Sequence, residues 1–202
     1  MVSQHRNDPD LIRAANAIPE HRILDAAYEL LLAVGLRRMT MADIARHAEV
    51  SRATLYRRWP NVRSVVASLM TREWTELGNA AFRAPADSAR ERLVDGIVRI
   101  AGTVRTHPML RKIIELDPDF LLPYLLERRG TSTDQQLALI EQALLAGAED
   151  GSIRPGDVAM QAKSLLLTAW SFVLTGPVLV GPDEADGLDE QLRELLDRYL
   201  KP

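Results

Sequence analysis

Residues 40–59 read TMADIARHAEVSRATLYRRW, and this stretch decides the fold. Thr40 suits the cap of a short helix, with Asp43 three residues on completing a variant of the capping box. Ile44, Ala45 and Ala48 then fall on its inner face. Ser51 suits the cap of a second helix, which runs to about Arg58 and turns Leu55 and Trp59 inward. Only Glu49 and Val50 separate the two. Arg52, Thr54, Tyr56, Arg57 and Arg58 are left on the outer side of the second helix. Two short helices joined this tightly suit a helix-turn-helix, whose second helix enters the major groove with its N-terminal residues at the base edges. The side chains match that task. Arginine takes guanine O6 and N7 together, threonine meets a thymine methyl or a polar base edge, and tyrosine hydroxyl or arginine reaches phosphate. The helix start at Thr40 adds backbone amides and a dipole suited to a phosphate. On composition alone, a solvated arginine-rich helical hairpin is an equal alternative.

Working outward, apolar residues recur at three- and four-residue spacings, so the chain is expected to be all-α. A helix beginning near Pro19 buries Ile23, Ala27, Leu30, Leu31 and Val34, and Gly35 supplies its left-handed stop. Residues 1–17 are polar and unpatterned, and a flexible arm is expected there. After Pro60, Asn61 caps a connecting helix with a stripe through Val62, Val66, Leu69, Met70, Glu73 and Leu77. Arg83-Ala84-Pro85-Ala86 breaks the composition. This gives an arm (1–17), a DNA-reading domain with its connecting helix (18–82) and a regulatory and dimerisation domain (83–202). Within the last, helices are expected over Ser88–Thr106, after His107-Pro108 and after Asp117-Pro118, with Pro123 as a restart point. Others span about Asp134–Asp150, with Thr133 and Gln136 as capping box and Gly151 as stop, Asp157 to about Thr175, ended by Gly176-Pro177, and about Leu188–Leu200.

Charge supports the same division. The chain carries −3 overall, yet residues 36–72 hold eight arginines against Asp43 and Glu49, a local +6. A basic block on an acidic body is the outline of a module that meets a polyanion. Hydrophobic residues at 47% and charged ones at 26% exclude a disordered chain. With no cysteine, disulfides, thiolate-held metals and thiol catalysis are excluded together, and the cytoplasm is the default. The uncharged stretch 164–182 is broken by Thr168, Ser171, Thr175, Gly176 and Pro177, so a buried or interface helix is expected rather than a membrane span. No Gly-rich phosphate loop or catalytic motif is present, so no enzyme activity and no cofactor are expected.

The run Ile23-x-x-Ala26-Ala27, Leu31-x-x-x-Gly35, Thr40-x-x-x-Ile44-Ala45, Val50-Ser51-x-x-Thr54-Leu55-Tyr56-x-x-Trp59 resembles the DNA-binding region of TetR-type (tetracycline-repressor-like) transcriptional regulators. The match covers about residues 19–70. It implies a helical homodimer: a three-helix DNA reader, a connecting helix and a divergent regulatory domain. Members of that family commonly repress transcription and release DNA when a small molecule binds. The expected partners are a near-palindromic double-stranded DNA operator, a second copy of the chain and a small apolar effector. DNA contacts are expected from Thr40, Ser51, Arg52, Ala53, Thr54, Tyr56 and Arg57. Three departures stand out: Glu49 replaces the usual turn glycine, Trp59 the usual Phe, and Val62 a phosphate-binding lysine. Arg63 is the candidate to take over that last contact.

The regulatory half carries no comparable motif. Thr103, His107, Met109, Phe120, Tyr124, Met160 and Trp170 are candidates for an effector pocket, with plain core packing as the alternative for each. Leu137, Ile140, Leu144, Leu166, Trp170 and Val173 are candidates for a dimer seam. His107, Glu115, Asp117 and Asp119 read better as helix starts than as a metal site, and no metal is expected. A helical enzyme or ligand carrier with an incidental basic hairpin is the alternative from another class, and a regulator that activates is the alternative within this one.

Overall fold

A computed structural model of the chain describes residues 20–127, 129–181 and 184–202. The expected arm and the helix start at Pro19 lie outside the described residues. All elements among the described residues are helical. The chain divides into two compact units between Leu69 and Met70.

The first unit holds α1 (Glu20–Val34), a 3₁₀ turn (Leu36–Arg38), α2 (Met41–His47), α3 (Arg52–Arg58) and the start of α4 (Val62–Ala81). Leu31, Ile44, Leu55, Val65, Val66 and Leu69 are wholly buried and form its core. Val34, expected inside, is exposed because α1 ends on it and the chain turns away at Gly35. Gly35 has φ 76 and ψ 163, a positive-φ extended conformation open essentially to glycine alone rather than the left-handed helical one. Asn61 caps α4 by accepting from Ser64 N at 2.9 Å. Trp59, buried after α3, donates from Nε1 to Ser68 Oγ at 2.8 Å and so ties the end of α3 to α4.

The second unit contains the rest of α4, α5 (Ala89–Thr106), α6 (Pro108–Leu116), a 3₁₀ turn (Pro118–Phe120) and α7 (Leu122–Leu126). It continues with α8 (Thr131–Glu149), α9 (Val158–Leu174), α10 (Gly176–Val180) and α11 (Ala185–Leu200). α5 is central and packs against α8, α9 and α11. Ser88 caps α5 and Asp157 caps α9, each accepting an amide proton at 3.1 Å. The division falls inside α4, not at residue 83, because the helix is unbroken to Ala81 and its later turns carry Trp74 and Gly78 to the α5 side.

Three other boundaries differ from the sequence reading. α8 starts at Thr131, and its first amides turn to the Gly130 carbonyl, with no side-chain cap. Gly176-Pro177 opens α10 as well as closing α9, since proline fits a first helical turn. α11 starts one turn earlier than Leu188. Among the described residues, no helix is long and apolar enough to cross a membrane.

Candidate functional site

The local chemistry of α2 and α3 builds one exposed face. Thr40 Oγ1 accepts from Asp43 N at 3.1 Å and donates to Asp43 Oδ2 at 2.6 Å. That hydroxyl bond holds the Asp43 carboxyl below its ordinary range, against an opposing desolvation effect and with a lesser contribution from Arg46. Ser51 Oγ accepts from Thr54 N at 3.1 Å and lies 2.8 Å from Thr54 Oγ1, so the cap also orients the threonine. Between the helices, Glu49 N donates to Arg46 O at 3.2 Å and Val50 N to Ala45 O at 2.8 Å. These two bonds form a Schellman motif, whose turning residue is usually glycine. Here it is Glu49, at φ 55. Arg22 Nη2 donates to the Ala48 carbonyl at 3.2 Å and to Glu49 Oε2 at 3.0 Å, bracing the turn from α1.

Ser51, Arg52, Ala53, Tyr56 and Arg57 are exposed along α3, with Thr54 half-buried beside them; Thr40 and Arg63 are exposed as well. The arginines divide by partner. Arg46 pairs with Asp43, and Arg58 pairs with Glu20 while its guanidinium stacks 5.1 Å from the Trp59 ring centroid. Among the described residues, Arg52 and Arg57 form no ion pair, so their charge faces outward from one helix. The braces, Arg22–Glu49 and Arg58–Glu20, escaped the sequence reading because their partners lie 27 and 38 residues apart.

The second unit contains a cavity of about 80 Å³ bounded by α4, α5, α8 and α9. Trp74, Gly78 and Phe82 line one side, Ile97, Ala101 and Val104 another, and Gln136, Leu139, Leu166 and Trp170 the rest. Of the expected pocket residues, Trp170 lies in this lining. His107 sits beside it, its ring edge-on to Trp74 with centroids 5.3 Å apart. Burial lowers the His107 pKa, while Glu73, 3.7 Å away, opposes the shift. Met109 and Phe120 are buried elsewhere, and Phe120 packs on Tyr124 at 5.8 Å. Thr103 and Met160 are exposed. Trp74, Gly78 and Phe82 recur every four residues, the spacing that could have found them in the sequence.

Leu137, Ile140 and Leu144 are buried in the unit's own core, and Leu166, Trp170 and Val173 line the cavity. The large apolar side chains left exposed on α8 and α9 are Leu145, Met160 and Leu167. Among the described residues no cluster of His, Cys, Asp or Glu could hold a metal ion.

A capped helix with two outward arginines, set across a tight turn from a second helix, defines a DNA-binding protein of the helix-turn-helix class. Residues 23–69 match the bacterial regulatory proteins of the tetR family. An HTH-type transcriptional regulator of Mycobacterium tuberculosis is 33% identical over 180 residues, 89% of this chain and 93% of the relative. The chain therefore belongs to the TetR family of transcriptional regulators and carries its DNA-binding domain. Solved structures agree on the fold. The R. erythropolis transcriptional repressor QsdR superposes with a TM-score of 0.68 at 18% identity, covering 96% of each chain. FadR from Bacillus subtilis gives 0.64 at 20% identity, covering 90% of this chain and all of that one.

Proposed function

We propose that the protein is a homodimeric cytoplasmic repressor that binds a near-palindromic operator and leaves it when a small molecule occupies the second unit's cavity. The observation that carries this reading is the outward pair Arg52 and Arg57 on the capped α3, in a chain that also holds an apolar cavity partly open to solvent. One reading helix covers half a site. A two-fold dimer places two in major grooves roughly 34–36 Å apart, or a further helical turn apart. The seam falls to the residues the chain leaves exposed, Leu145 on α8 with Met160 and Leu167 on α9. The contact at the start of α4 falls to Arg63 and the phosphate contact at α2 to Thr40, with Ser51, Ala53, Thr54 and Tyr56 lying against the groove.

α4 couples the two activities by chain continuity. Its first turns bury Val65 and Val66, and its later turns present Trp74 and Gly78 to the cavity. A ligand that favours one placement of α4 lowers DNA affinity by the same factor that DNA lowers ligand affinity. QsdR is described as a repressor, FadR from Bacillus subtilis was solved with stearoyl-CoA and SmeT with triclosan, which supports a ligand-responsive reading of the shared fold.

The test is footprinting of the DNA flanking its own gene, followed by operator titration with compounds that raise the protein's melting temperature. Two protected half-sites related by a dyad are expected, with affinity lowered roughly 5- to 150-fold by the effector. A single protected half-site removes the dimer, and stabilising compounds that leave affinity unchanged remove the release mechanism.

A further inference from the structure

The lining of the cavity restricts what it holds, given the reading above that this cavity receives the effector. Gln136 is the one polar side chain among its residues apart from the indoles of Trp74 and Trp170, and none of them is ionisable. An ion entering would lose its hydration and meet no opposite charge. Trp74 and Phe82 line one side of the cavity and Trp170 another, so an entering aromatic ring finds ring partners for offset or edge-on contacts. The free volume, about 80 Å³, is below the roughly 150 Å³ that accepts benzene in an engineered apolar cavity. The cavity is partly open to solvent and lined by half-exposed Leu139 and Leu166, so a single ring needs less displacement of its walls than a fused-ring system or a long acyl chain. Almost all of the wall is carbon, and Gln136, half-buried on α8, is the one lining side chain that can turn both a donor and an acceptor toward it.

We propose that the effector is an uncharged single-ring compound with one hydroxyl group, its ring held between Trp74, Phe82 and Trp170 and its hydroxyl bonded to the Gln136 amide. Ring and hydroxyl divide the work: the aromatic walls supply affinity, and Gln136 distinguishes the hydroxylated compound from a plain hydrocarbon.

The experiment titrates the intact protein with phenol, toluene and benzoate, following the indole N–H signals of its three tryptophans by NMR. Trp59 is the internal control, since its N–H is held by Ser68 in the other unit. Phenol shifts Trp74 and Trp170 and leaves Trp59 in place. It binds roughly five- to tenfold more tightly than toluene, and benzoate binds more than about a hundredfold more weakly than phenol. In Gln136→Leu, phenol falls to the level of toluene and toluene is unaffected. Benzoate within tenfold of phenol, an unchanged phenol-to-toluene ratio in the variant, or no shift with any of the three overturns the proposed ligand class. A parallel operator titration separates the two readings. Phenol that binds in this way but leaves operator affinity unchanged overturns the effector reading and keeps the ligand class. Release by a charged or much larger compound, without phenol binding, does the reverse.

Discussion

Arg22 on α1 reaches 3.0 Å to Glu49, the residue that turns the chain between the two short helices at φ 55. The same guanidinium bonds the Ala48 carbonyl, so a surface arginine holds the one non-glycine residue with positive φ among those described. The left-handed conformation costs a non-glycine residue about 1–2 kcal/mol, and an exposed ion pair returns about 0–1 kcal/mol. Glu49→Gly is therefore expected to leave stability unchanged or raise it by up to about 2 kcal/mol. Urea denaturation measures it. A loss beyond about 1 kcal/mol would show that the Arg22 brace holds the turn together more strongly than an exposed pair should.

Arg52 and Arg57 should fail in different ways. Arg52→Ala should weaken the preferred operator by about 1–3 kcal/mol and relax selection at one base position. Arg57→Ala should weaken all sequences alike and reduce the salt slope of binding by about one. Fluorescence anisotropy at several salt concentrations distinguishes the two, and wild-type binding by the double variant would move the reading surface away from α3.

Leu167 is 71% exposed on an otherwise apolar turn of α9. In the proposed seam, Leu167→Glu places two carboxylates against each other across the two-fold axis. Sedimentation should then show a monomer whose circular dichroism remains helical. A dimer that persists at micromolar concentration would put the interface elsewhere.

Gly96 lies against the Phe82 ring, and a Cβ there would stand 2.4 Å from Phe82 Cε1. Gly96→Ala gains about 1 kcal/mol of helix propensity and loses about 1–3 kcal/mol to overpacking, so a net loss is expected. Adding Phe82→Leu should remove the overpacking and restore part of that loss. Thermal denaturation of the single and double variants reads the difference, and additive losses would mean that the ring is not what the methyl meets.

His107 links acidity to the second unit. Its pKa is lowered by burial, with Glu73 opposing, so the unfolded chain takes up the proton at a higher pH than the folded one. Stability from this group is complete above the ordinary histidine value of about 6.5 and falls as pH drops through the lowered folded value. His107→Gln should flatten the pH dependence of the melting temperature over that window. An unchanged profile would assign the acid sensitivity to other groups.

The helical class and the reading hairpin were legible because they rest on local signals. Thr40 and Ser51 cap through amides three residues away, and the apolar spacing of α1 and α4 repeats within one turn. The family resemblance adds the order of those signals. The regulatory half carries no such local code, which is why Met109 and Phe120 looked like pocket residues yet are buried elsewhere. Whether an apolar side chain packs into its own core or faces a cavity depends on which helices meet it, and α5, α8 and α9 are brought together from segments far apart in the chain.

Local sequence alone sufficed for the caps of the two hairpin helices, the turn between them and the outward arginines, since each depends on neighbours within a few residues. Tertiary structure alone decided that Arg58 is bound to Glu20 while Arg57 has no ion pair among the described residues, and that Glu49 is braced by Arg22. It also decided that Trp74, Phe82, Gln136 and Trp170 share one cavity. Side-chain periodicity specifies which face of a helix is apolar, but the partner that covers that face is fixed only when the helices pack.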